Sequence, residues 1–118
     1  MISREKLLSQ NAKRYADKRI FGEDYRIQSL SEREKADYEI KLQDKKSGMS
    51  TKKARALFLC RVLVDESNKR LLKDEDVDAV GEMDGRIASA IYAVALDHNG
   101  YDETDIEELV KNSEGATG

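Results

Sequence analysis

The apolar segment Ala54–Val64 constrains the fold of this chain more than any other feature. Only Arg55 and Arg61 interrupt it. Because its apolar side chains would point in almost every direction around a helix, a helix formed here must be covered by other elements on all sides. The sequence therefore predicts a central helix over Thr51–Val64, in which Cys60 is a small buried hydrophobic residue.

The composition favours a small, mostly α protein. The chain has 118 residues, no proline, 39% hydrophobic residues and 38% charged residues, so nothing breaks a helix from within and the core is modest. We predict a single helical domain of about five helices over residues 1–112 and a flexible tail at 113–118. Since the sequence has neither an apolar stretch long enough to cross a membrane nor a signal-peptide pattern, we expect a cytoplasmic protein.

Capping residues and apolar spacing predict the remaining helices. Ser31 and Glu34 form a capping-box pattern at the start of a helix that runs to about Lys46. Asp74 is the predicted N-cap of a short helix that ends near Gly81. The other predicted helices span residues 3–16, with Ser3 as the N-cap, residues 84–98, and a last segment that Asp102 and Asp105 begin.

The segment 18–30 has the pattern of a β-hairpin. We place the hairpin itself near residues 19–29. Ile20 lies on the first strand, and Tyr25 and Ile27 lie on the second. A hairpin of two strands is only marginally stable in water. We therefore expect it to pack on a helix or on a neighbouring subunit.

The tetrapeptide 47–50 is the predicted connector between two helices. Its glycine, Gly48, suits the left-handed conformation that often ends a helix. We expect this connector to act as a hinge, and we expect it and the hairpin to lie at subunit contacts.

Charge is distributed unevenly along the chain, although the net charge is only −3. Residues 1–64 contain 16 Lys and Arg against 9 Asp and Glu, a net charge of +7. Residues 65–118 contain 5 against 15, a net charge of −10. The two halves attract each other either within one molecule or between copies in a head-to-tail contact, which generates rings or open spirals.

Side chains that could carry out chemistry are few. His98 is the single histidine and Cys60 the single cysteine, which excludes an internal disulfide and the usual metal and triad patterns. The loops that begin at Asp65 and Asp97 depart from the calcium-loop spacing, and no phosphate-binding glycine motif is present. We therefore expect a protein that is not an enzyme and that uses neither cofactor nor metal.

A basic cluster supports one alternative function. Its members, which could contact phosphate groups, are Lys45, Lys46, Lys52, Lys53 and Arg55. They would suit a small nucleic-acid-associated or regulatory helical protein. The acidic net charge opposes this alternative because it repels nucleic acid.

The region from Val62 to Gly100 resembles the tail assembly chaperones of long-tailed bacteriophages. In that family an apolar helix ends in a turn and is followed by a short helix that opens on Asp and closes on an apolar residue. The similar segments here are Leu63–Leu72, Asp74–Val77 and Ala95–Tyr101, with Ser29–Glu34 upstream, so that the resemblance spans about residues 20–101. Asn68 and Leu72 depart from the family pattern, which usually has Gly and an aromatic residue there.

This resemblance implies a phage or prophage protein that assists virion assembly in the cytoplasm of the bacterial host. Such chaperones bind the tape measure protein, recruit the tail tube protein and leave the finished virion, and they often have a frameshift-extended form. The resemblance also implies a protein-binding homo-oligomer. The remaining phage alternative is another head–tail component, such as a connector. The candidate contact residues, several of which would also suit a core or rim position, are Ile20, Phe21, Tyr25, Ile27, Met49, Lys52, Lys53, Phe58, Met83 and Tyr101.

Overall fold

The computed structural model describes the backbone of residues 1–115 and the side chains of residues 1–111. Over this range the protein is mostly α, as predicted. Its helices are α1 (Arg4–Leu8), α2 (Glu32–Gln43), α3 (Thr51–Val62), α4 (Val77–Gly81), α5 (Gly85–His98) and α6 (Glu103–Gly115). Its strands are β1 (Tyr15–Ile20), β2 (Glu23–Gln28) and β3 (Leu63–Val64), and short 3-10 turns span Lys45–Ser47 and Asp74–Asp76.

The core is built around α3, as its apolar sequence predicts. Phe58 and Cys60 on this helix are both 0% exposed. The ring of Phe58 contacts three tyrosine rings at centroid distances of 5.4 to 5.9 Å, those of Tyr38, Tyr92 and Tyr101. The surrounding helices thereby converge on one aromatic cluster, and burial raises the pKa of the Cys60 thiol to about 11, which keeps it protonated.

The hairpin is present but belongs to a larger sheet. Strands β1 and β2 are antiparallel and β3 pairs with β2, with Ile27 opposite Leu63. The prediction that the central helix continues to Val64 is wrong, because Leu63 leaves helical geometry (φ −78°, ψ 128°) and joins the sheet. This third strand gives the hairpin the packing partner that a two-stranded structure lacks.

Several helix ends differ from the prediction. Helix α1 has the predicted N-cap Ser3 but ends at Leu8, because the chain from Tyr15 pairs with β2 instead of continuing as a helix to residue 16. Helix α2 has the predicted capping box but ends at Gln43 before a 3-10 turn, which Gly48 closes with a φ of 63°. Helix α6 is described as far as Gly115, and the rest of the predicted tail, 116–118, lies outside the described residues. The domain boundary at residue 112 stays a prediction.

Arg61 and Asp74 join three parts of the chain by ion pairs. The Arg61 side chain is only 10% exposed. Its Nε and Nη2 donate hydrogen bonds to the two carboxylate oxygens of Asp74, each at 2.9 Å. Its Nη1 donates to Asp37 Oδ2, also at 2.9 Å. Arg70 and Lys41 also donate to Asp74, at 2.8 and 3.2 Å. The prediction that Asp74 is an N-cap is therefore wrong, because these cations occupy its carboxylate.

Candidate protein-binding surfaces

A groove lies among α3, α4 and α5, and its floor is apolar. Its volume is about 490 Å³. The apolar side chains that line it come from all three helices and from the turn between α4 and α5: Ala56, Leu59, Val77, Val80, Met83, Ala88 and Tyr92. A groove of this kind accepts apolar side chains from a helix or from a short peptide.

The groove carries both signs of charge, and each sign comes from a different side. Helix α3 supplies Lys52, Lys53 and Arg55, whereas Asp78 lies on α4 and Glu82 is the residue that follows it. The Arg55 guanidinium lies 4.6 Å from the centroid of the Tyr92 ring, a cation–π contact that covers part of the apolar floor. An occupant that matches this surface has apolar groups flanked by an acidic residue on one side and a basic residue on the other.

The tip of the hairpin exposes an aromatic side chain in a strained backbone conformation. Phe21 is 58% exposed and has a φ of 48°, and the following Gly22 has a φ of 83°. Two positive φ values in succession form a tight hairpin turn that Asn-Gly ordinarily occupies, because a bulky residue is disfavoured in the left-handed region. The Arg86 guanidinium lies 5.2 Å from the Phe21 ring centroid, so a cation and an aromatic ring share this surface.

A smaller depression of about 280 Å³ lies beside Tyr101. The Tyr101 hydroxyl donates to Glu39 Oε2 at 2.6 Å, and burial together with this carboxylate raises the pKa of Tyr101. The ammonium of Lys35 lies 5.6 Å from the same ring centroid. The Tyr101 hydroxyl and ring thus already have partners within the chain. This depression is therefore a weaker candidate for protein binding than the groove.

Comparison with known proteins assigns the chain to a family. The family model described as phage tail assembly chaperone matches residues 11–112. The chain belongs to this family. No match was found among curated proteins or among solved structures.

Four of the predicted contact residues of this chaperone fall on the two surfaces described first. Lys52, Lys53 and Met83 line the groove, and Phe21 lies at the hairpin tip. Ile20 and Tyr25 lie on the strands of the hairpin and are half-buried against the core.

The other four predicted contact residues lie elsewhere. Met49 is half-buried ahead of α3, and Tyr101 lies in the smaller depression. Ile27 and Phe58 are 0% exposed, so they are core residues with no surface to offer a partner. Phe58 is drawn into the core because three rings surround it, and Ile27 because it lies on the middle strand of the sheet.

Sequence reasoning missed some residues of the chaperone's surface and of its ion-pair network. Leu7 and Leu8 on α1 are each 56% exposed, and no residue of that helix is buried; the available signal was the pair of adjacent leucines in a mostly polar segment. Arg61 had a weaker signal, because a buried arginine requires a carboxylate partner but the sequence does not show which of the two arginines in the apolar run is buried.

The described residues lack the features of a metal site and of a membrane span. Among them, no group of three or more His, Cys, Asp or Glu side chains is placed to hold a metal ion. No helix described here has the length and apolar character needed to cross a membrane. His98 lies in the last turn of α5. Its backbone carbonyl accepts a hydrogen bond from the Arg14 guanidinium at 2.9 Å, and its ring Nε2 lies 2.9 Å from the Arg14 carbonyl oxygen. This residue therefore joins α5 to the start of the sheet.

Proposed function

We propose that this chain is a non-enzymatic chaperone that binds the tape measure protein and the tail tube protein of its phage during tail assembly in the host cytoplasm. The observation that carries the proposal is the family match over residues 11–112. The described residues support it with two surfaces suited to protein partners, the groove and the hairpin tip.

Phe21 is the residue we propose for contact with a tail protein. Its exposure and its positive φ both oppose stability, because a ring that is more than half exposed gains little from burial and the left-handed region is disfavoured for bulky side chains. Residues that cost stability are often retained at functional sites. An aromatic ring beside a cation is also a common composition for the centre of a protein interface.

Self-association through the oppositely charged halves is a further part of the proposal. Asp74 is one point where the halves pair within one molecule, because Lys41 and Arg61 both bind it. Other cations of the basic half pair within that half: Lys13 with Glu34, Arg19 with Asp24, and Arg26 with Asp17. Such pairing leaves the charge difference between the halves in place, and we expect contacts between copies to weaken as salt is raised, since exposed charges are screened.

The binding proposal is tested by co-expression of the chain with a tagged tape measure protein or a tagged tail tube protein from the same phage. We expect co-purification with the wild type and at least about a tenfold weaker interaction for Phe21→Asn, the loss typical of one aromatic anchor. The matched control is Ile40→Asn, which replaces another exposed hydrophobic residue, 66% exposed, on α2. Absence of co-purification with either tail protein would overturn the proposal.

The nucleic-acid alternative is tested on the same preparations. The proposal expects no DNA retention at physiological salt. Retention that Lys52→Glu together with Lys53→Glu abolishes would instead favour the basic cluster as a phosphate-binding surface.

A further inference from the structure

We propose that the free edge of β1 binds an extended segment of the tail tube protein, which adds to the three-stranded sheet as a further strand. In this mode of recognition, main-chain hydrogen bonds provide affinity and alternate side chains provide specificity. The inference deepens the proposed function by naming an edge and the chemistry of its occupant, and it rests on that function for the identity of the partner.

The backbone of β1 has three residues whose polar groups point away from the sheet. In an antiparallel pair, residues that bond the neighbouring strand alternate with residues that do not. Ser29 N donates to Arg14 O at 2.8 Å, and this pair sets the alternation along the whole register. The N–H and C=O groups of Tyr15, Asp17 and Arg19 therefore point away from β2, and no hydrogen bond engages them in the part of the chain that the structure describes. An extended segment has the free donors and acceptors that these groups need, whereas a helix pairs its own internally.

The opposite edge of the described sheet is closed by the chain itself. Leu71 N donates to Leu63 O at 3.1 Å, on the side of β3 that faces away from β2. Val64 forms a β-bridge with Arg70. The two edges thus differ, and among the described strands β1 is the one that can accept another strand.

Lys18 places a positive charge on the core face of this open edge. The register puts it opposite Tyr25, which is half-buried against the core. Its neighbours on the same face, Ala16 and Ile20, are half-buried too, while Lys18 is exposed and forms no ion pair with the described residues. We therefore expect the added strand to have an acidic residue opposite Lys18 and apolar residues two positions away on either side, because cross-strand neighbours share a face.

The charges of β1 disfavour pairing of this edge with a second copy. Antiparallel pairing of two β1 strands through all three outward residues places Asp17 opposite Asp17. A shift of two residues in either direction places Lys18 opposite Lys18 or opposite Arg14. Like charges directly opposite each other destabilise a sheet, and edge strands use such charges against self-pairing. The edge therefore suits a different partner, one that brings a carboxylate.

Stoichiometry favours the tail tube protein over the tape measure protein as that partner. Each chaperone has one open β1 edge, and one edge accepts one strand. A tube is built from identical subunits, so each subunit presents the same segment once. A single tape measure chain would have to repeat the segment for every chaperone that binds it. Phe21 follows β1 directly in the sequence, so a strand bound at this edge reaches the ring that we propose for contact.

Asp17→Pro tests the edge in the full chain. Proline removes the outward N–H of residue 17 and breaks no hydrogen bond to β2, so the hairpin should still fold. The matched control is Asp17→Ala, which also loses the ion pair with Arg26 but keeps the N–H. On co-expression with a tagged tail tube protein, the proline variant should bind at least about tenfold more weakly than the alanine variant. Circular dichroism checks that both variants are folded.

Lys18→Glu tests the charge on the edge with the backbone unchanged. It should weaken binding to the tail tube protein at least about tenfold, because a glutamate would face the acidic residue of the added strand. The matched control is Lys69→Glu, the same reversal at an exposed lysine beside the closed edge, and it should bind as the wild type does.

Amide hydrogen exchange of the isotope-labelled chaperone, followed by NMR, measures the edge directly in the wild type. The amide protons of Tyr15, Asp17 and Arg19 should exchange at least about tenfold more slowly in the complex with the tail tube protein than in the free chain. Unchanged exchange, equal binding by the Asp17 variants, or loss of tape measure binding in place of tail tube binding would each overturn the inference. Tail tube binding that withstands Asp17→Pro and Lys18→Glu but is lost with Phe21→Asn would also overturn it and would leave the proposed function standing, so the two failures are distinguishable.

Discussion

The core around α3 differs from two exposed parts of the molecule, α1 and the hairpin tip (together called the exposed ends), in where it places similar residues. In the core, Phe58 is surrounded by three rings and the buried Arg61 has a carboxylate for each of its donating groups. At the ends, Phe21 and the leucines of α1 are more than half exposed. Aromatic and aliphatic residues therefore stabilise the fold in one region and remain available to partners in the other.

This difference separates stability from binding. A substitution in the core should lower the free energy of unfolding and affect binding only through loss of the folded state. A substitution at the exposed ends should leave the free energy of unfolding nearly unchanged and alter binding directly. The following changes test this separation, from the largest expected effect to the smallest.

Phe58→Ala should lower the free energy of unfolding by about 3 to 5 kcal/mol, because it leaves a cavity where three tyrosine rings now meet. Urea denaturation followed by circular dichroism measures the effect. Phe21→Asn is the matched control, and it should leave stability unchanged or raise it by about 0.5 to 1 kcal/mol, since Asn tolerates a positive φ. Equal losses for the two variants would contradict the comparison.

Arg61→Ala should lower the free energy of unfolding by about 2 to 3 kcal/mol. This is less than the loss of a fully buried pair, because Asp74 keeps Arg70 and Lys41 as partners. The control Arg70→Ala removes a more exposed cation from the same carboxylate and should cost about 1 kcal/mol or less. The same denaturation experiment measures both, and a larger loss for Arg70→Ala would show that the buried arginine is not the centre of the network.

Stability should fall in acid partly because of Asp74. Hydrogen bonds from Arg61, Arg70 and Lys41 hold the pKa of this carboxyl well below its usual range, so the unfolded chain takes up the proton first. The stabilisation is therefore complete above about pH 4 and is lost as the pH falls further. Asp74→Asn should lower stability at pH 7 by about 1 to 2 kcal/mol and flatten the acid slope; parallel slopes for wild type and variant between pH 5 and about pH 2 would contradict this assignment.

Leu7→Asp with Leu8→Asp should change the free energy of unfolding by less than about 0.5 kcal/mol, because α1 buries no residue. Measurement at a protein concentration low enough to keep the wild type monomeric separates folding from association. A loss above about 1 kcal/mol in the monomer would mean that the segment packs on its own chain, and the contrast between core and exposed ends would not hold for α1.

Local signals in the sequence predicted much of the fold. The cap at Ser3, the capping box at Ser31, the glycine at residue 48 and the amphipathic spacing of α5 are patterns within a few residues, and the structure has each of them. Errors arose where a distant partner competed with a local pattern. Leu63 and Val64 continue an apolar run but pair with β2, and Asp74 has the position of a cap but binds Arg61.

The candidate surfaces could be predicted only in part. Lys52, Lys53 and Met83 were singled out separately from charge and hydropathy, but only the packing of α4 and α5 on α3 brings them into one groove. Ile27 and Phe58 have the composition of contact residues and lie in the core instead. Sequence pattern identifies an apolar residue, but burial depends on which elements pack over it.

The sequence by itself determined that this is a small, mostly α protein centred on the helix that contains Phe58, that its charge changes sign near residue 64, and that it resembles phage tail assembly chaperones. The helical character, the central helix and the change in charge follow from periodicity, caps and composition, which act over a few residues, whereas the family is known from the resemblance of particular segments. Only the tertiary structure decided the third strand, the Arg61–Asp74 network, the groove and the exposure of Phe21 and Leu7. Those depend on contacts between residues far apart in sequence, whose free energies outweigh local preferences.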